Sequence, residues 1–274
     1  MTTEHSGSGD LSRSLELLWG TGERPGRGPK PGLTLDRIVT AAVAVADAEG
    51  LGALSMRRVA AELGVGTMSL YRYVPGKAEL LDLMLDKVVE FDAAAHPDPA
   101  TGWRPALEAV ARTNWRLHHG HPWLLQVDRS HPLLGPNALD VFEYALRALA
   151  GTGLTDREKV HVMVALDGFV SGTARTQLNS AHAEQRTGIS AEDFWRAQEP
   201  ILNQAMRSGR YPTLAGLAED AFTGGDNPVF ELGLSALLDG FAAVIATRTA
   251  DTRPNGAPKG HPNGRIAERD PLTE

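Results

Sequence analysis

The chain has 274 residues, a length that allows one large domain or two modest ones. With 42% hydrophobic and 22% charged residues it has the composition of an ordinary globular protein, and the absence of cysteine excludes disulfides, thiolate zinc sites and cysteine redox chemistry. The net charge of −7 argues, taken alone, against a nucleic-acid-binding protein.

The N-terminal residues, MTTEHSGSGDLSRSLELLWG, carry acids early and lack a long apolar core with a cleavage site, unlike a secretory signal. No run of about 18 or more uninterrupted apolar residues occurs, so we expect no transmembrane helix and no membrane partner. The simplest expected compartment is the cytoplasm of a prokaryote-like cell.

Residues 1–32 are rich in Gly, Ser and Pro and end in the basic run around RPGRGPKPG. We predict a flexible basic arm, although Leu11–Trp19 has the pattern of a short docked helix. The arm is either a contact to phosphate or the DNA minor groove, or a leader whose charges maintain solubility.

Residues 33–92 are predicted to form a compact helical module. Thr34 is placed to cap the helix LDRIVTAAVAVADAEG, and Gly50 is placed to end it. Ser55 is placed to cap a second helix, whose apolar stripe has spacing i, i+3, i+4 and i+7; it consists of Met56, Val59, Ala60 and Leu63.

Gly64, Val65 and Gly66 follow, and they predict a tight turn with Val65 tucked inward. We expect Thr67 to cap a third helix over Thr67–Val74. Two short helices joined by a three- or four-residue turn containing Gly are typical of a helix-turn-helix unit.

In that third helix Leu70 and Val74 are four residues apart and are predicted to face the core. The outer surface then carries hydroxyls, phenols and a guanidinium, groups that reach base edges and phosphates in a major groove. An ordinary three-helix packing unit with incidental polar residues is the alternative. The charge distribution favours DNA, because eight basic and four acidic side chains between Arg24 and Lys77 give that segment +4 and leave −11 elsewhere.

From residue 103 to 249 the pattern is again helical, with segments at Ala138–Leu149 and Val160–Gln177. The tail, residues 250–274, is polar and turn-rich and is predicted to be disordered. No alternating run suggests a sheet. The predicted fold is all-α: an N-terminal three-helix DNA-binding domain followed by a larger helical effector and dimerisation domain.

The run SMRRVAAELGVGTMSLYRYVPGKAELLDLMLD, preceded by LTLDRIVTAAVAVADAEG, resembles the tetracycline-repressor-type (TetR) family of bacterial regulators. HPW at 121–123 and FELGLSALLDGF at 230–241 resemble the C-terminal domain of its tetracycline-repressor branch. The resemblance implies a homodimer that represses from a near-palindromic double-stranded DNA operator and is released by a small-molecule effector. It places DNA contacts at Ser55, Arg57, Thr67, Met68, Ser69, Tyr71, Tyr73 and Lys77, and Arg72 joins them on the outer surface.

The same resemblance implies that the apolar stripe of the last helix pairs with its copy in a dimer; the stripe includes Phe230, Leu234, Leu237, Leu238 and Phe241. An effector pocket is expected in the C-terminal domain, and the candidates, each of which plain core packing would also explain, are Trp115, His118, Trp123, Phe142, Met163, Leu166, Phe169 and Gln177. We expect no cofactor and no metal, because Pro122 interrupts the helix near His121 and no Cys or acidic pair completes a site with His118.

Two other classes of protein remain open. An enzyme is disfavoured, since no nucleophile elbow, P-loop or Rossmann glycine pattern is present. Asp82 and Asp86 have the appearance of solvated helix positions. A helix-turn-helix regulator controlled by a protein partner is not distinguished by the sequence from one controlled by a small molecule.

Overall fold

The computed structural model describes residues 4–21, 32–129, 133–218, 221 and 227–251. The fold is all-α, as predicted, and the described part adds a single pair of two-residue parallel strands, β1 (Glu4–His5) and β2 (Val127–Asp128). The basic run around Arg24, Arg27 and Lys30 lies outside the described residues, as does the tail after Asp251.

The first module consists of four helices: α2 (Leu35–Glu49), α3 (Met56–Glu62), α4 (Thr67–Leu70) and α5 (Lys77–Val88). Two predicted caps are confirmed, because the hydroxyls of Thr34 and Ser55 accept hydrogen bonds from the backbone N–H groups three residues on. Gly50 ends α2 with a φ of +81°, a backbone conformation that favours glycine. Val65 packs against the core of the module, as the turn requires.

The third helix is shorter than predicted. Regular helix ends at Leu70, and Tyr73 and Val74 continue as a hydrogen-bonded turn onto the Leu70 carbonyl. Pro75 keeps the helix from continuing beyond Val74, because proline has no N–H to donate and the residue before it is pushed out of helical geometry. The expected cap is also wrong: Gly66 is the cap residue, and Thr67 is the first residue of the helix.

The N-terminal segment differs from the predicted flexible arm over residues 4–21. Helix α1 (Leu11–Trp19) is present, with Asp10 as its cap, and it packs against α5. β1 pairs with β2, which lies beyond the first module. This part of the arm is therefore folded onto the protein.

The second module is built from longer helices: α6 (Trp103–Gly120), α7 (Pro136–Ala148), α8 (Asp156–Thr187), α9 (Ala191–Arg207), α10 (Pro212–Ala215) and α11 (Pro228–Asp251). The predicted segments Ala138–Leu149 and Val160–Gln177 correspond to α7 and the inner part of α8. Thr155 and Glu158 form a reciprocal capping box at the start of α8. The main core of this module lies between α6, α8 and α11.

Two carboxylates join the modules. Asp47 on α2 lies 2.7 Å from both His121 Nδ1 and the indole N–H of Trp123, beyond the end of α6. Asp86 on α5 accepts hydrogen bonds from the backbone N–H groups of Asn137 and Ala138 at the start of α7. Burial raises the pKa of Asp86, and these donors oppose that rise.

Asp82 and Asp86 are not the solvated positions that the sequence suggested. They are 2% and 7% exposed. Both carboxylates accept hydrogen bonds from segments far away in the chain, which offsets the free-energy cost of burying them.

Helix α11 qualifies the expectation about membranes. By length and composition alone, Pro228–Ala250 is apolar enough to cross a membrane, and most of it is not buried inside this chain. Its Phe230, Leu234 and Leu238 side chains belong to the core of the second module, so one face of the helix is a protein-packing face.

Candidate functional site

The outer surface of α3, α4 and the following turn is exposed, and its residues lie on one side of the first module. Met68 is 76% exposed and Tyr71 is 44% exposed, whereas Leu70 and Val74 are fully buried. The predicted division between anchoring and outward-facing residues is therefore present. A short helix held by two buried aliphatic side chains presents its other side chains to solvent.

The arginine side chains around this surface differ in whether a carboxylate of the protein already pairs with them. Arg58 is engaged by Glu49 at 2.6 Å and by Glu62 at 2.9 Å, and its guanidinium lowers the pKa of the Glu49 carboxyl. Within the described part of the chain, Arg57 and Arg72 are exposed and have no carboxylate partner. These two guanidinium groups are available for an anionic ligand.

Two of the expected contact residues also bind within the protein. The Ser55 hydroxyl accepts from Arg58 N–H at 3.2 Å, and its own O–H remains free to donate outward. The Tyr73 hydroxyl donates to the Leu33 carbonyl at 3.0 Å, and its half-buried ring packs against the core. Tyr73 thus fixes the start of α2.

Lys77 is the first residue of α5, beside the free N–H groups of that helix terminus. Its ammonium donates to Glu4 Oε1 at 2.8 Å, and both side chains are about one-third exposed. Sequence reasoning missed this pair, because nothing local links residues 73 positions apart.

A second candidate site lies in the C-terminal module. A cavity of about 410 Å3 opens between α6, α8 and the start of α11. Trp115 and Phe230 stack on its aromatic side, with ring centroids 4.2 Å apart. Hydroxyl and amide groups line the rest together with Gly172, Pro228 and Val229; the polar residues are Thr173, Thr176, Gln177, Ser180 and Asn227. No charged side chain is among these lining residues.

The cavity contains two of the predicted ligand residues, Trp115 and Gln177. His119, which was not among them, lies 2.9 Å from Gln177 Oε1, and the Gln177 amide donates to Asn227 at 2.8 Å. The other predicted residues do not line it: they are His118, Trp123, Phe142, Met163, Leu166 and Phe169. Leu166 is core, Met163 and Phe169 pack against that core, and Trp123 belongs to the core of the first module.

His118 is almost fully buried, and its Nδ1 has no hydrogen-bond partner within the described residues. Burial lowers the pKa of His118 to about 4, and nearby Arg129, His119 and Arg175 add to the effect. The imidazole is therefore neutral near pH 7. In the described ranges no group of three or more His, Asp or Glu side chains is placed to hold a metal ion.

The predicted dimerisation residues divide into two sets. Phe230, Leu234 and Leu238 are at most 2% exposed inside one protomer, so they cannot meet a second copy. Leu237 and Phe241 are half-buried against the same core. The exposed apolar side chains of α8 and α11 are instead Val160, Val164, Val229, Leu232 and Val244.

The sequence does carry a local pattern that indicates the polar side of the cavity. Thr173, Thr176 and Ser180 recur at spacings of three and four on α8, which places them on one helical face. Asn227 and Phe230 could not be assigned in the same way, because their place in the cavity depends on how α11 packs on α8.

Comparison with known proteins gives matches over most of the chain. The family described as "Bacterial regulatory proteins, tetR family" matches residues 38–84, and "Tetracyclin repressor-like, C-terminal domain" matches residues 96–245. The HTH-type transcriptional repressor DrrR1 of Streptomyces coeruleorubidus is 56% identical over 92% of this chain and 93% of its own length. An HTH-type transcriptional regulator of Saccharopolyspora erythraea is 33% identical over 83% of this chain and 92% of its own.

Among solved structures, the TetR family protein ActR of Streptomyces coelicolor in complex with actinorhodin has a TM-score of 0.64. It is 33% identical and covers 78% of this chain and 99% of its own. ActR without ligand has a TM-score of 0.62 at 31% identity, covering 80% of this chain and 99% of its own.

Proposed function

The chain belongs to the tetR family of bacterial regulatory proteins and is a transcriptional repressor of that family. We propose that it binds a two-fold symmetric operator as a homodimer. We further propose that it leaves the operator when an uncharged aromatic molecule occupies the C-terminal cavity. The observation that carries the proposal is the exposed surface of α3 and α4, which presents Met68, Tyr71 and two unpaired guanidinium groups.

The DNA contacts are divided by chemistry. Met68, Ser69 and Tyr71 lie on α4 or directly after it and provide groups that read base edges. Arg57 and Arg72 provide charge for phosphate or guanine. Lys77 at the start of α5 combines an ammonium with free helix N–H groups, which suits a phosphate. One such helix reaches only a few base pairs, so specific binding requires a second copy.

A second copy is supported by the uncovered face of α8 and α11. Val164, Val229 and Leu232 are 61%, 69% and 75% exposed, an amount of apolar surface that favours burial against another protein. Gly168, Gly172 and Gly240 lie on the same two helices, and no heavy atom lies within 4 Å of a Cβ built on any of them. Small residues at these positions allow another helix to approach closely.

The cavity chemistry supports the effector class. Its volume is within the range of small-molecule sites, and Trp115 and Phe230 form an aromatic wall. Hydroxyls and amides opposite that wall suit oxygen substituents, and the described lining holds no charge to pair with an ionic ligand. The related ActR is solved with actinorhodin and with (S)-DNPA, which supports ligand binding by proteins of this fold.

Helix α6 connects the two proposed sites. Trp115 of α6 lines the cavity, and His121 and Trp123, just beyond the end of the helix, hold Asp47 on α2. A ligand that shifts α6 therefore moves a direct contact to the first module. An effector releases DNA only if it binds the conformation without DNA more tightly.

The proposal is tested by selecting bound duplexes from random DNA with the purified full-length protein. We expect a two-fold symmetric consensus with half-sites about one helical turn apart, roughly 34–36 Å. Lys77→Ala should weaken binding to every duplex and lower the salt slope by about 0.9 for each protomer. Arg116→Ala, the same charge change at an exposed position on α6, is the matched control. Recovery of no enriched sequence would count against a specific repressor.

A further inference from the structure

Residues 4–21 form a strap that crosses α5 of the DNA-binding module. It contains β1, a short connection and α1, whose Leu17 and Leu18 pack against the core of that module. The strap is folded even though it precedes a basic run outside the described residues.

Two buried carboxylates of α5 hold the strap. Asp82 accepts three hydrogen bonds, from the Ser6 hydroxyl at 3.2 Å, from Gly7 N–H at 2.8 Å and from the buried Ser14 hydroxyl at 2.8 Å. Glu79, one turn earlier, accepts from Asp10 N–H at 3.0 Å. A buried carboxylate is strongly destabilising without such donors, so the strap stabilises α5 and the carboxylates of α5 hold the strap in place.

The strap lies very close to α5 at Gly9. A Cβ at this position would overlap the Glu79 carboxylate, so only glycine fits without a shift. Further toward the N-terminus, β1 pairs with β2, and Ser6 N–H donates to the Asp128 carbonyl at 3.0 Å. The strap is therefore fixed at both modules, and Glu4 within β1 has a defined position.

That position brings the Glu4 carboxylate to Lys77. The separation of 2.8 Å is a direct ion pair, at the start of α5, where the free N–H groups also favour an anion. A carboxylate and a DNA phosphate oxygen would occupy the same place against the ammonium.

We infer that the strap is an internal competitor for the phosphate proposed to bind Lys77: Glu4 neutralises the lysine in the free protein and must leave it when DNA binds. The inference rests on the proposed function, because it requires Lys77 to be a DNA contact. β1–β2 pairing and the Asp82 hydrogen bonds position Glu4, and Glu4 itself lowers DNA affinity.

The test measures the affinity of the full-length protein for a duplex enriched from random DNA, by fluorescence anisotropy at ~50 and ~200 mM salt. The variants are Glu4→Gln, Lys77→Ala and the two combined. Glu16→Gln is the matched control, because it removes the same charge from an exposed residue of the strap that pairs with Arg13. Gly9→Ala provides a second variant, which places a Cβ against the Glu79 carboxylate beneath the strap and leaves Glu4 in the sequence.

At the lower salt concentration, Glu4→Gln should bind DNA about 2- to 5-fold more tightly for each protomer of the dimer, the range for a partly exposed ion pair. The gain should shrink at the higher salt concentration and disappear when Lys77 is already Ala. Gly9→Ala should give a gain of the same sign, and Glu16→Gln should behave as the unmodified protein.

Three results would overturn the inference while leaving the proposed function intact: unchanged affinity in Glu4→Gln, an equal gain in Glu16→Gln, or the same gain in the Lys77→Ala background. Unchanged binding by Lys77→Ala itself would also overturn it, because the competitor would then have nothing to compete for. A protein that enriches no DNA at all would remove the proposed function and this inference together.

Discussion

Leu232 is the side chain through which the proposed dimer is most sharply tested. It lies on α11 and is 75% exposed, in contrast to its neighbours Phe230 and Leu234, which are buried inside the protomer. Complete burial of a Leu side chain is worth about 1.5–3 kcal/mol. Three-quarters of that, counted in both copies of a two-fold interface and reduced slightly for the Cβ that Ala keeps, gives about 2–4 kcal/mol for Leu232→Ala.

That change corresponds to about a 30- to 1,000-fold weaker dimer. Sedimentation equilibrium over a range of protein concentrations measures it directly. Leu11→Ala is the matched control, because Leu11 is 53% exposed on α1, a helix that packs against α5. An unchanged dimer dissociation constant for Leu232→Ala, or an equal loss for Leu11→Ala, would refute the assignment of this face.

Two further predictions concern stability and pH. Burial lowers the pKa of His118 to about 4, so between pH 6.5 and 4 the unfolded chain binds a proton there that the folded chain does not. Stability should fall by up to about 3 kcal/mol over that interval, and urea titrations of His118→Leu should show a shallower pH dependence; equal pH dependence would exclude this cause. Hydrogen bonds from Thr155 N–H and Arg248 lower the pKa of Glu158 to about 2, so Glu158→Gln should lower the Tm at pH 7. The difference in Tm between Glu158→Gln and the unmodified protein should narrow as the pH falls from 4.5 towards 2. A difference that stays constant over this range would contradict the proposed effect of the Glu158 carboxylate.

The first module could be predicted closely because its determinants are local. The caps at Thr34 and Ser55 and the anchoring of Leu70 and Val74 follow from residue type and from spacings of three and four. The end of regular helix at Leu70 was not predicted from these local patterns.

The sequence alone could not show which apolar residues of the second module pack inside one protomer and which face a second copy. The stripe from Phe230 to Leu238 has the periodicity of a buried face, but periodicity does not reveal whether the other side of the interface is the same chain or a copy. Trp123 is one of the candidates for the expected effector pocket, and the structure places its indole against Asp47 of α2.

The strap was missed for a related reason. Asp82 and Glu79 occur in a charged helix, and only the arrival of donors from residues 6–14 makes their burial favourable. Contacts across about 70 positions have no local signature. The described part of the arm brings the Glu4 carboxylate to Lys77, whereas the basic run of the arm lies outside the described residues.

The central claim, that α4 and the turn after it read DNA sequence, is tested most directly by measuring Tyr71→Ala against single-base variants of the selected operator. The account predicts that preference at one base-pair position of each half-site is lost or changed, at a cost of about 1–3 kcal/mol on the original operator, while preferences elsewhere persist. Binding by Tyr71→Ala that keeps every base preference, or that weakens equally on all variants, would contradict it.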